Sequence, residues 1–271
     1  MKLDIIDAQA HIFLTIGEHE ALAAMNALGI CGVMIDEVWS IRGEEIAPNV
    51  KLANGVRRPV SPKAEAAAFK HPDRFSYIQR IERNDPELAA IVCVLSNSPG
   101  CRQVRIDLRL AEERQAFMNG GYDQLLRLVQ RHDMPLSILG RDTGTAVGGT
   151  IARFPDIKFI LDHCGSPRTP QQWQEVLPLA SLKNVWMKWS AIGKAFGGAY
   201  PFPEALTQLA RAIDAFGIDR LMWATDFTQN ESDGTWADLL NYVRESSLLG
   251  AGDKEQFFAG TARRLFKWAV S

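Results

Sequence analysis

Short apolar runs that end in polar residues recur along this chain, with helical stretches between them. The first, Leu3-Asp-Ile-Ile-Asp-Ala-Gln-Ala-His11, is rich in branched residues and predicts a buried strand. Asp7, Gln9 and His11 alternate at its end, so all three side chains are expected on one face. Polar groups directed into a buried strand are costly unless they are hydrogen-bonded or used. The second run covers residues 31–38. Residues 39–60, with Pro48, Asn54-Gly55 and Pro59, keep no period and predict a long loop. Further strands are predicted over 75–81, 102–108, 135–139, 157–161, 185–189 and 220–224.

Helices are predicted between these runs. One spans 18–28 and stops at Gly29; another follows the Ser61 cap, with Pro62 at its first position. Asn84-Asp85-Pro86 opens a third, and 122–132 carries Leu125, Leu126, Leu128 and Val129 on one stripe. The remaining helices are expected over 143–154, 170–180, 203–216, 235–247 and 253–266. Eight strands alternating with helices call for a parallel sheet, and eight units predict closure into a (β/α)8 TIM barrel of the α/β class. The alternative is an open doubly wound sheet, but no Gly-x-Gly-x-x-Gly follows any strand. Without a linker, repeat or low-complexity stretch, residues 1–271 read as a single domain.

Composition narrows the function. With 46% hydrophobic and 23% charged residues, the chain is an ordinary globular one. A net charge of -2 and the lack of any Lys/Arg run argue against nucleic acid as a partner. The longest apolar run, 88–95, is far short of the ~20 residues of a membrane helix. The start, Met-Lys-Leu-Asp-Ile-Ile-Asp, puts acids where a signal peptide needs an apolar core. Cys31, Cys93, Cys101 and Cys164 have no Cys-x-x-Cys spacing and read as free thiols in a reducing, cytoplasmic setting. A small-molecule substrate is the expected partner.

In a barrel, side chains at strand ends face the C-terminal mouth. These are Gln9, His11, Asp36, Arg80, Arg105, Asp107, His163, Lys188, Ser190 and Asp226. Taken singly, a strand-end His is more often a structural group than a catalyst, and an Arg or Lys often only pairs with an acid. Asp162 and His163 are adjacent and should point to opposite sides. Phe159 and Leu161 share the parity of His163 and are expected to fill the interior, which favours His163 for the mouth. Asp226 closes the apolar run Leu221-Met-Trp-Ala-Thr and fits a general base.

Five segments together resemble the amidohydrolase-related family: Asp7-Ala-Gln-Ala-His11, Leu161-Asp-His-Cys-Gly165, Met187-Lys-Trp-Ser190, Trp223-Ala-Thr-Asp226 and Ala262-Arg-Arg-Leu-Phe266. The resemblance runs from residue 4 to residue 266. The Asp-His-x-Gly segment is most similar to the lactonase branch, whose members open sugar-acid lactones or 2-pyrone-4,6-dicarboxylate lactone. That branch includes enzymes that work without a metal. The chain departs from the family pattern in two places. Gln9 stands where the first strand usually ends in His-x-His, and residues 135–143 contain no His. An amide is a poor zinc ligand.

The resemblance therefore implies a metal-independent hydrolase of a small lactone or related cyclic ester. Asp226 would activate water, while Gln9, His11 and His163 would polarise the carbonyl. Arg105, Arg80, Lys188 and Ser190 would bind the substrate, the cations taking a carboxylate. Two other readings follow from the same resemblance. One is a metal-dependent amidohydrolase or non-oxidative aromatic-acid decarboxylase, with one zinc ion held by His11, His163 and Asp226. The other is a binding barrel with a decayed site. Substrate choice would rest on residues 39–60 and 191–202.

Overall fold

The apolar runs form eight parallel strands that neighbour one another in chain order, in a computed structural model that describes residues 3–141, 144–229 and 234–269. They are β1 (Ile6–Ala10), β2 (Gly32–Asp36), β3 (Phe75–Arg80), β4 (Cys101–Leu108), β5 (Leu136–Gly140), β6 (Phe159–Leu161), β7 (Val185–Trp189) and β8 (Leu221–Trp223). The backbone N–H groups of Thr225 and Asp226 donate to the Gln9 carbonyl at 3.3 and 2.9 Å, which joins the exit of β8 to β1. The sheet is the expected (β/α)8 barrel.

Period-2 alternation divides each strand between two apolar regions. Val33, Ile35, Val104, Ile106, Phe159 and Leu161 face the surrounding helices. Ile6, Ala8, Met34, Ile78, Ile160 and Met222 fill the barrel interior. The interior set packs against Ala262, Leu265, Phe266 and Trp268, so the closing segment seals the end of the barrel opposite the mouth. Gly32 permits this seal, because a Cβ there would lie 2.8 Å from the Trp268 ring.

Several elements depart from the sequence expectations. Residues 39–60 are not a plain loop but two antiparallel hairpins, Trp39–Ile41 with Glu44–Ile46 and Asn49–Lys51 with Arg57–Pro59. Three-residue strands are too short to carry a readable period. The turn of the first hairpin, Arg42-Gly43, has positive φ at both residues (54° and 81°), as a two-residue hairpin turn requires. Helices Ile12–Thr15, Ala111–Met118 and Ile192–Phe196 had no prediction. The helix expected over 143–154 is a 3-10 turn, Gly144–Val147, followed by Gly148–Arg153, and its expected start at Thr143 lies outside the described residues. The helix expected from Asn84 begins at Leu88. Thr235 caps helix Trp236–Arg244 through a capping box with Asp238, close to the predicted start. The four cysteines are free thiols, and among the described residues no helix is long and apolar enough to cross a membrane.

Candidate active site

The polar strand ends converge on a cavity of about 240 Å³ at the C-terminal mouth, lined among others by His11, Arg80, Arg105, His163 and Asp226. Two local features of the backbone bring them together. In β1 the register with β2 shifts between Asp7 and Ala10. Ile6 and Ala8 face inward, yet so do Gln9 and His11, because the irregularity reverses the alternation. Asp7 is left on the other side. It accepts from the Thr225 backbone N–H at 3.0 Å, from the Thr225 hydroxyl at 2.5 Å and from Trp236 Nε1 at 2.9 Å. The expectation that Asp7 shares a face with Gln9 and His11 is thus corrected. Burial pushes the Asp7 carboxyl up to about 6 despite these hydrogen bonds.

The second feature follows β6. Ile160 and Asp162 point inward, whereas Phe159 and Leu161 pack outward, which reverses the parity expected from the sequence. His163 nevertheless reaches the mouth. Residues 163–166 all take left-handed conformations, with φ of 53°, 58°, 77° and 55°, and this turn swings the imidazole over the barrel. At Gly165 a Cβ would lie 2.9 Å from Val176, so only glycine passes there. Asp226 also has positive φ, at 60°. Strained backbone of this kind concentrates at functional sites.

His11 and Asp226 form the centre. His11 Nε2 lies 2.8 Å from Asp226 Oδ1, and His11 Nδ1 lies 2.7 Å from the Asp36 carbonyl oxygen. Both partners only accept, so both ring nitrogens carry protons and His11 is an imidazolium. Burial opposes that charge, but Asp226 and Asp36 outweigh it and raise the His11 pKa. Burial likewise works against ionised Asp226. The positive charges of His11 and Arg105 and the His11 hydrogen bond prevail and hold its carboxyl well below the usual carboxylate range.

His163 is set the other way. Arg105 Nη2 lies 3.3 Å from its Nε2, and a guanidinium can only donate, so Nε2 accepts. Nδ1–H then donates to Ser190 Oγ at 2.9 Å. Burial, the largest influence, lowers the His163 pKa and keeps the ring neutral. His163 Nε2 is also 3.7 Å from Asp226 Oδ1. Of the two histidines, His163 has the more exposed side chain, at 13% against 1% for His11.

Below the cavity the remaining predicted residues are tied to one another. Arg105 Nη1 donates to Asp36, which also takes Arg80 Nε and Nη2 at 3.0 and 2.8 Å. Arg105 Nε pairs with Asp162 Oδ2 at 2.8 Å, and Lys188 Nζ pairs with Asp162 Oδ1 at 3.1 Å. Lys188 Nζ also donates to Gln9 Oε1 at 3.1 Å, and Gln9 Nε2 donates to Asp226 Oδ1 at 3.2 Å. Gln9 and Lys188, expected to meet substrate, are wholly buried and lie behind the residues that line the cavity. Asp162, not singled out for the mouth from the sequence, is the hub of this floor. Its inward parity could have been read from the alternation of Ile160 and Asp162.

Sequence reasoning also missed the cations of the rim. Arg109, Arg141, Arg168 and Lys194 line the cavity from positions just beyond β4, β5, β6 and β7. The hairpin region contributes Glu45 and Ala47, and the segment after β7 contributes Ala191 and Ala195, so both stretches expected to decide substrate choice border the site. Asp107, expected at the mouth, instead pairs with Arg109, with both side chains more than two-fifths exposed.

The amidohydrolase family model matches residues 6–268. No curated protein matches the chain. An amidohydrolase from Burkholderia multivorans with bound zinc is similar in structure at 19% identity, with a TM-score of 0.75 over 97% of this chain and 99% of that one. A Pseudomonas putida protein provisionally named a 2-pyrone-4,6-dicarboxylic acid hydrolase gives 19% identity and a TM-score of 0.74, covering 100% of both chains. The 5-carboxyvanillate decarboxylase of Sphingomonas paucimobilis gives 12% identity and a TM-score of 0.66, over 98% of this chain and 99% of that one. At such identities the likeness is one of fold.

A zinc ion in one of these neighbours makes the donor set of this chain worth testing. His11 Nε2, His163 Nε2 and Asp226 Oδ1 converge, but the first is protonated and the second faces a guanidinium. The amide oxygen of Gln9 faces the Lys188 ammonium. Among the described residues no group of three or more His, Cys, Asp or Glu is arranged to hold a metal ion. These residues do not fit a bound dication.

Proposed function

The chain belongs to the amidohydrolase family, and on that premise we propose that it hydrolyses a small lactone or related cyclic ester bearing a carboxylate, without a metal ion. The observation that carries this reading is Asp226, an ionised carboxylate held between the imidazolium of His11 and neutral His163 at the wall of a cavity rimmed with cations. A substrate carboxylate at the rim would meet Arg109, Arg141, Arg168 and Lys194, in a protein whose net charge is -2.

Asp226 takes a proton from a water molecule, whose oxygen forms a bond to the lactone carbonyl carbon. The carbonyl becomes an oxyanion, which Arg105 Nη2, held by its contact with His163, can stabilise as a fixed donor. The carbonyl re-forms as the carbon–oxygen bond of the ring breaks, and the departing oxygen takes the proton held by Asp226, which gives a hydroxy acid and restores the carboxylate. Gln9 acts on Asp226 in this scheme, and its amide does not polarise the carbonyl. An ester carbonyl is activated enough for positioned donors to serve as the electrophilic help.

The test is a panel of sugar-acid and dicarboxylate lactones, with aromatic carboxylates beside them, assayed on chelator-treated protein. Hydrolysis of a carboxylate-bearing lactone at an undiminished rate is the expected result. Turnover only after metal is added back, or release of carbon dioxide from an aromatic acid with no lactone opened, would overturn the reading.

A further inference from the structure

The floor of the barrel carries a closed circuit of contacts that hydrolysis as described above does not explain. It runs from Arg105 through Asp162, Lys188, Gln9, Asp226, His11 and Asp36 back to Arg105. Every barrel strand except β3 and β5 supplies a member, either from the strand or from the residues just past its end. Gln9 is the one uncharged member. Its carbonyl oxygen takes the Lys188 ammonium and its amide N–H goes to Asp226, so it passes the polarity of the circuit from a cation to an anion.

We propose that Lys188 is a resident cation that holds the place of a divalent metal ion in this barrel and keeps such an ion out, an inference that rests on the metal-free reading above. Lys188 is wholly buried, and its two polar contacts, Gln9 Oε1 and Asp162 Oδ1, both lie at 3.1 Å. A buried ammonium needs paired acceptors to stay charged. Here the acceptors are the residue at the usual first metal-ligand position of β1 and a carboxylate from the end of β6. The carboxylates around it are already outnumbered by cations, three against four. Asp36, Asp162 and Asp226 face Arg80, Arg105, Lys188 and the His11 imidazolium. A dication added to this set would meet the ammonium and the guanidinium at short range, with no uncommitted carboxylate to offset it.

It follows that restoring a histidine at position 9 is not enough to create a metal site, because Lys188 would still occupy its ring nitrogen. Removing the ammonium as well opens the site. The experiment uses the full chain as wild type, as Gln9→His and as Gln9→His with Lys188→Met. Each is stripped with chelator, dialysed against zinc, and checked for folding by circular dichroism. Bound zinc is then measured by atomic absorption, and cobalt binding by its visible absorption bands. The expected result is no retained zinc in wild type or Gln9→His, and about one zinc per chain with tetrahedral cobalt bands in the double variant. Should the double variant not fold, Lys188→Gln replaces Lys188→Met, since it keeps length and hydrogen bonding without the charge.

Stoichiometric zinc in wild type or in Gln9→His alone overturns the proposal, as does a folded double variant that retains none. The lactone panel on chelated wild type reads the proposed hydrolysis separately. Zinc uptake by wild type with unchanged metal-free hydrolysis would sink this inference and leave the function standing. A panel without turnover would do the reverse.

Discussion

Replacing Asp226 by Asn tests the proposed chemistry most directly, and the structure supplies its expected size. The amide keeps the volume of the carboxylate and its oxygen can still accept from His11 Nε2 and Gln9 Nε2, now at 2.8 and 3.2 Å. What disappears is the negative charge and with it the proton acceptor. A general base is worth ~10²–10⁴ in rate, which is ~2.7–5.4 kcal/mol of transition-state stabilisation at about 1.36 kcal/mol per tenfold. The loss should fall on kcat and leave KM nearly unchanged, because the base acts on water in the transition state rather than on bound substrate. His11 should respond too. Without Asp226 its imidazolium keeps only Asp36 as an anionic neighbour, so its pKa falls toward the ordinary value, which nitrogen NMR of the ring can read.

The pH profile adds a sign. Asp226 has a depressed pKa in the folded protein, so it stays ionised down through the ordinary carboxylate range and its ion pair is lost only below that. The neutral form of His163, with its pKa lowered by burial, persists below 6.5. Therefore kcat/KM of wild type should stay level from pH 8 to below 6.5. The assay is steady-state hydrolysis of the lactone turned over in the panel, across pH 5–9, for wild type and Asp226→Asn. An Asp226→Asn enzyme with near-normal kcat would refute the assignment of the base. A drop of less than tenfold accompanied by a deprotonated His11 would mean that Asp226 only keeps His11 charged.

Three further outcomes are expected. Arg105→Met leaves Asp36 and Asp162 with fewer partners in a dry interior, and breaking a buried pair costs ~3–5 kcal/mol, so denaturant unfolding should reveal a large stability loss; a change within ~1 kcal/mol would mean that the floor is not held by Arg105. Arg141→Ala and Arg168→Ala should each raise KM for an anionic lactone while kcat holds, since a charged hydrogen bond is worth ~1.5–3 kcal/mol; equal KM for the carboxylate and its neutral amide analogue would remove the rim from substrate binding. Asp7 has a raised pKa, about 6 against 3.8, so the folded state binds more protons between these values and stability falls as pH rises from about 4 through 6. Measured against Asp7→Asn, wild type should lose ~3 kcal/mol across that window by chemical denaturation at pH 4 and 7, and a difference that does not change with pH would contradict the shift.

The barrel and the polar strand ends at its mouth were legible in the sequence because both depend on local periodicity. Each apolar run is short, branched and bounded by turn residues, and eight of them separated by helical stretches leave one economical architecture. The strand ends then follow, and with them His11, His163 and Asp226 as residues that meet. What the sequence could not determine was wherever alternation fails or distant loops meet. The irregularity in β1 lies in backbone pairing with β2, so Asp7 could not be told from Gln9 by counting residues. The left-handed run 163–166 lets Asp162 and His163 both serve the same end of the barrel, against strict parity. Rim cations such as Arg141 and Arg168 sit in segments without period and become neighbours only when the strands close into a ring. The circuit through Lys188 and Gln9 is of the same kind. Its partners lie 179 residues apart in the chain, and only the closed barrel brings the ammonium and the amide within a hydrogen bond.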